Sequence, residues 1–203
     1  MESSTIIQDI RDLREAGLAT IAYFYFDFRD ASKRDTRSLL SSLLVQICAQ
    51  SDPYCEILAD LYSKHDRGSQ QPSGDALLRC LRKVLEHPGQ GPLYLIIDAL
   101  DECPSSSGFP TQRERALKIV QELVKVPLPH LHVCITSRPE IDIRAVLEPL
   151  AAHNVSLHNE SGQNQDIIDY IHSVVRSDPK MQKWREEDKT LVTDTLTLKA
   201  GGM

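Results

Sequence analysis

Three carboxylates, Asp98, Asp101 and Glu102, follow directly on the most apolar run of the chain, in "LYLIIDALDEC" (93–103). Two carboxylates about 4 Å apart repel by roughly 4 kcal/mol at an effective dielectric of 20. Such a cluster needs open water, protons or a cation to offset it. With a cation, the chemistry is that of a hydrated Mg²⁺ beside a phosphate: one acid holds the ion's water shell and another orients an attacking water. A second polar group, Thr136-Ser137-Arg138, ends another apolar run, "LHVCIT" (131–136). A guanidinium there meets a phosphate oxygen as a planar charged fork. Both groups work together only if the ends of the two runs lie side by side.

The elements that must position them are legible from periodicity. "STIIQDIRDLREA" (4–16) predicts a helix ended by Gly17. "TIAYFYFDF" (20–28) is apolar on both faces, as in a strand covered on both sides. Asp35 caps a helix whose Leu39, Leu40, Leu43, Leu44 and Ile47 share one face. Residues 66–74 are polar loop, and "DALLRCLRKVLE" (75–86) is an amphipathic helix stopped by "HPGQGP". After the strand 93–98, Thr111 and Glu114 form a T-x-x-E capping box for a helix with Ala116, Leu117, Val120 and Val124 inward. The strand 131–136 leads to a short helix, "IDIRAVLEPL", and a weak strand at 154–158. A helix over 165–176 and a helical tail from Lys180 complete the chain. Strands alternating with helices predict an α/β fold, a three-layer sandwich with a parallel sheet. Ligands of such sheets bind at the carboxyl ends of the strands, where both polar groups fall.

Composition narrows the partners. The 203 residues suit one domain with an appendage, divided here as 1–160 and 161–203. A net charge of −6 without a basic stripe excludes general affinity for nucleic acid or an acidic membrane surface. No apolar segment is long enough to span a bilayer. Five cysteines without a C-x-x-C pair read as reduced thiols of a cytoplasmic protein. His130-Leu131-His132 has no third ligand nearby and is not read as a metal site.

"YLIIDALDEC" followed by "LHVCITSRPE", with "AYFYFDFRD" upstream, resembles the NACHT-type P-loop NTPase domain of STAND proteins over about residues 4–200. The fungal NLR-like and nephrocystin-like N-terminal versions are the most similar. The resemblance implies that Asp98 holds Mg²⁺ through water and that Asp101 and Glu102 are the catalytic acids. It likewise implies that Arg138 senses the γ-phosphate of ATP or GTP. The family's G-x-x-x-x-G-K-[ST] is missing, since no Gly-Lys dipeptide occurs, and "STIIQDIRDL" matches the helix that follows that motif. The expectation is a NACHT domain truncated before and after, without its first strand and phosphate cradle. Strand 93–98 should then lie between 20–28 and 131–136, with 154–158 detached and the outer edge of 131–136 exposed. Two functions stay open: a signalling switch whose nucleotide state controls oligomerisation, or a non-catalytic remnant acting through protein partners or self-association.

Overall fold

The computed structural model of the protein describes residues 2–106, 108–125, 127–156 and 161–200. Two compact units divide the chain, Met1–Ala151 and Ala152–Met203.

The first unit is built on three parallel strands, β1 (Thr20–Tyr25), β2 (Leu93–Asp98) and β3 (Leu131–Ile135), in the order β1-β2-β3. Register aligns Tyr25 with Asp98, and Ile97 with Ile135, so all three strands end at one edge. β2 is central because both its faces are apolar: Leu93, Leu95 and Ile97 look one way and Ile96 the other, all essentially inaccessible. β1 stops three residues short of the predicted end at Phe28. Phe26 still donates to the Asp98 carbonyl (3.0 Å), but the Asp27 carboxylate then accepts the Arg29 N–H (2.9 Å) and turns the chain.

Helices cover the sheet on both sides, as expected of a three-layer sandwich. On one face lie α2 (Thr36–Cys48), α3 (Asp52–Lys64), α4 (Gly74–Leu85), α5 (Gln112–Lys125) and α6 (Ile141–Leu147). Their apolar residues form the large core with Phe24, Phe26, Leu95 and Ile97. On the other face α1 (Glu2–Glu15) places Ile7 and Ile10 against Ile21 and Ile96. The caps are those the residues predict. Asp35 Oδ1 accepts the Ser38 N–H at 2.7 Å, and Thr111 and Glu114 exchange bonds of 2.7 and 3.2 Å. Gly17, at φ +72°, lets Leu18 N–H reach back to the Leu13 carbonyl.

Three expectations are corrected. The segment 52–64, assigned no element from sequence, is the helix α3, opened by Pro53 in its first turn. Val124 is 38% exposed in the last turn of α5, while Ile119 and Leu123 are buried in its place. Residues 154–156 belong to no strand, and 157–158 lie outside the described residues. "NVSLH" offers little apolar surface to hold a strand. In the second unit α7 (Ser161–Ser177) pairs with α8 (Glu186–Ala200), burying Val175 and Thr193.

Candidate functional site

The acidic turn is shaped by one residue in an unusual conformation. Ala99, directly after β2, has φ 53° and ψ 48°, a left-handed geometry that costs a non-glycine residue about 1–2 kcal/mol. Thr136, at the end of β3, holds it there. Its hydroxyl accepts the Ala99 N–H (3.1 Å) and donates to Asp98 Oδ1, and its carbonyl accepts the Leu100 N–H at 3.0 Å. The chain then winds one 3-10 turn, Leu100–Glu102, with Leu100 fully buried as its anchor. That turn separates the acids: Asp98 stays on the strand, while Asp101 and Glu102 ride on the turn.

Each carboxylate meets its own partner. Asp98 takes the Thr136 hydroxyl. Asp101, with its side chain only 11% exposed, accepts the Arg138 backbone N–H at 3.0 Å and faces the Arg138 guanidinium at 3.5 Å. Glu102 Oε2 accepts the Phe28 N–H, at 3.4 Å, from the loop after β1. The like charges that the sequence crowds together are thus shared among three strand ends. All four residues singled out from sequence lie at this edge of the sheet, and Asp101 and Arg138 are in direct contact. The Asp98 charge also reaches its neighbours. Burial first, and Asp98 second, push the Tyr25 hydroxyl and the Cys134 thiol above their ordinary pKa values.

Two further groups complete the site. Arg113, in the first turn of α5, has an 11% exposed side chain. Its Nε donates to the Cys103 carbonyl (3.0 Å), and its terminal nitrogens reach the Asp101 carbonyl and the Asp142 carboxylate of α6 (3.4 Å). It clamps the acidic turn from beneath. A sequence signal existed, because a cation in the first turn of a helix opposes the macrodipole and needs a compensating partner. Arg29 pairs with Asp27 at 3.1 Å, and their hydrogen bonds hold the Asp27 carboxyl low and the Arg29 guanidinium high in pKa. Nothing in the sequence flagged Ala99, because alanine carries no preference for its left-handed geometry.

The two histidines of His130-Leu131-His132 are used locally: His130 Nε2 lies 3.0 Å from the Leu85 carbonyl and His132 stacks on Tyr94. Among the described residues, no three His, Cys, Asp or Glu side chains are placed to hold a metal ion directly. The arrangement is one of exposed guanidinium over shielded carboxylate. Arg138 and Arg29 are 81% and 75% exposed, above Asp101 and Asp27 at 11% and 28%. Such groups can meet an oxyanion while the acids below orient water or a hydrated cation.

Searches of the curated proteins and of the solved structures give no match. Among protein families, the model described as "Nephrocystin 3, N-terminal" matches residues 1–138, which run from α1 through all three strands to Arg138. The matched region holds every residue of the site except Asp142. The chain belongs to the nephrocystin-3 N-terminal domain family.

Proposed function

We propose that the chain is part of the switch module of a NACHT-type signalling NTPase of the STAND class, the half that faces the Mg²⁺ and γ-phosphate of ATP or GTP. One observation carries the reading. Asp98, Asp101, Glu102 and Arg138 come from two neighbouring parallel strands and gather at their shared carboxyl end, where α/β sheets bind ligands. The donor set fits a hydrated ion arriving with a nucleotide rather than a resident metal, since the three acids point to three different partners. Asp98 would hold that ion through water, and the ion would neutralise phosphate charge. Asp101 and Glu102 would orient the attacking water, and Arg138 would leave Asp101 to meet the terminal phosphate. In this reading the nucleotide state governs association with protein partners or with further copies of the chain.

A second reading, a protein-interaction module without nucleotide turnover, is favoured by the sequence itself. No Gly-Lys dipeptide occurs in the 203 residues, so the G-x-x-x-x-G-K-[ST] cradle, whose N–H groups and lysine supply most phosphate contacts, is not among them. Calorimetry of the 203-residue chain with MgATP and MgGTP separates the two. Weak binding with no hydrolysis is expected of these residues alone. Micromolar binding would show that the acidic edge suffices and would sink the second reading. Binding that is equally strong without Mg²⁺ or in Asp98→Ala would sink the first.

A further inference from the structure

A cavity lies away from the acidic edge, at the start of β1, with a volume of about 650 Å³. That size suits a small ligand. Its walls come from the end of α1, the loop 17–19, β1, α2 and Gly91.

The backbone of β1 is already closed on this side. Gln50 Oε1 accepts the Ile21 N–H (3.2 Å) while its Nε2 donates to the Ile21 carbonyl (2.7 Å). Gln46, four residues earlier and in the last turn of α2, does the same for Tyr23 at 3.1 and 2.8 Å. The two carboxamides stand where a neighbouring strand would be, so the occupant of the cavity is not an added strand.

What remains on offer is positive charge. Arg11 and Arg14, three residues apart and hence on one face of α1, both line the cavity. No Asp or Glu lines it, in a chain of net charge −6. Arg11 is preset: its terminal nitrogen donates to the Tyr23 hydroxyl at 2.6 Å, and its guanidinium lies over the Tyr23 ring, 5.3 Å from the centroid. Of the α1 carboxylates beside these arginines, Asp12 accepts from Gln8, and Glu15, four residues beyond Arg11, does not line the cavity. The end of α1 carries about half a negative charge. Its Leu13 and Arg14 carbonyls are taken by the Leu18 and Gly17 N–H groups, so it does not cancel two full cations.

We propose that this cavity binds a small oxyanion, a phosphate or a carboxylate, held by Arg11 and Arg14. The site is separate from the acidic edge and does not depend on the nucleotide reading. The test is an NMR titration of the 203-residue chain at constant ionic strength, once with inorganic phosphate and once with succinate. The Arg11 and Arg14 Nε–H signals and the Gly17 and Gly91 amides should shift and saturate at millimolar concentration with at least one of them. Phosphate alone saturating identifies a phosphoryl ligand, and succinate alone a carboxylate. Arg14→Gln should weaken binding about tenfold, the loss of one charge-assisted hydrogen bond. Because Arg11→Gln also removes the support of Tyr23, Arg14→Gln, on the exposed end of α1, is the decisive variant. Shifts that grow linearly with both anions, or saturation unchanged in Arg14→Gln, would overturn the proposal.

Discussion

At the scale of single residues, two arginines at one site have opposite roles. Arg113 is nearly buried and satisfies the carbonyls of Asp101 and Cys103, so Arg113→Ala should cost about 1–3 kcal/mol by stranding them. Arg113→Lys keeps a charge but loses the fork, and should recover only part of that. Arg138 is 81% exposed, and Arg138→Ala should change stability by no more than about 1 kcal/mol. Urea titrations of the three variants check the ordering; equal losses for Arg113→Ala and Arg138→Ala would mean the clamp is misassigned. The buried thiols make a second residue-scale prediction. Burial pushes Cys48 and Cys103 up to about 12, above an ordinary thiol near 9. The folded chain therefore keeps protons that the unfolded chain releases. Stability from these thiols is complete below about pH 9 and declines as pH rises toward 12. Urea midpoints at about pH 8 and pH 10.5 should show that fall, and a Cys48→Ala, Cys103→Ala double variant should flatten it.

At the scale of elements, α2 does two jobs with two faces. Its leucines and Ile47 fill the core, while Gln46 and, two residues past the helix end, Gln50 close the outer edge of β1. A Gln46→Leu, Gln50→Leu double variant leaves the amides and carbonyls of Ile21 and Tyr23 open. It should lose stability by about 1–3 kcal/mol for each residue left unpaired, and associate through the freed edge. Light scattering across a concentration series reads the association; a double variant that associates no more than its parent would show that the carboxamides do not guard that edge. The acidic turn is likewise a product of element ends: β3 contributes Thr136, α5 contributes Arg113, and the turn itself contributes only the acids.

At the scale of the molecule, the three-stranded sheet is asymmetric at its margins. β1 is closed by glutamines, whereas no described strand pairs with the outer side of β3, none of whose five residues is buried. Thr136 N–H bonds Ile97, and the His130 carbonyl accepts from Leu93, so the even-numbered residues of β3 face β2. By alternation, the Val133 N–H and carbonyl point outward. An apolar edge of this kind favours strand addition, and the purified chain should be marginally stable and self-associate. Val133→Pro removes an outward donor without touching the β2 ladder, and should reduce association while keeping the fold. Sizing and thermal melts of the two chains decide it: a sharp, reversible transition from a monomeric parent chain would show that β3 is closed by some other part of the molecule.

The apolar runs of 93–98 and 131–136, the stripe of α2 and the caps at Asp35 and Thr111 are local patterns. Local patterns are enough to specify strands, helices and an α/β order, since each rests on residues within a few positions of one another. The same reading placed Asp98, Asp101, Glu102 and Arg138 at strand ends. Register then decided the rest. Only the parallel alignment of β2 with β3 sets the Thr136 hydroxyl against Asp98 and Ala99, and only the docking of α5 brings Arg113 under the acidic turn. The sequence crowds three carboxylates together, and tertiary structure gives each a different partner from a distant segment. Contacts across 37 and 74 residues, such as Arg138 with Asp101 and Phe28 with Glu102, leave no periodic trace along the chain. The pairing of charges at this site is therefore settled by packing.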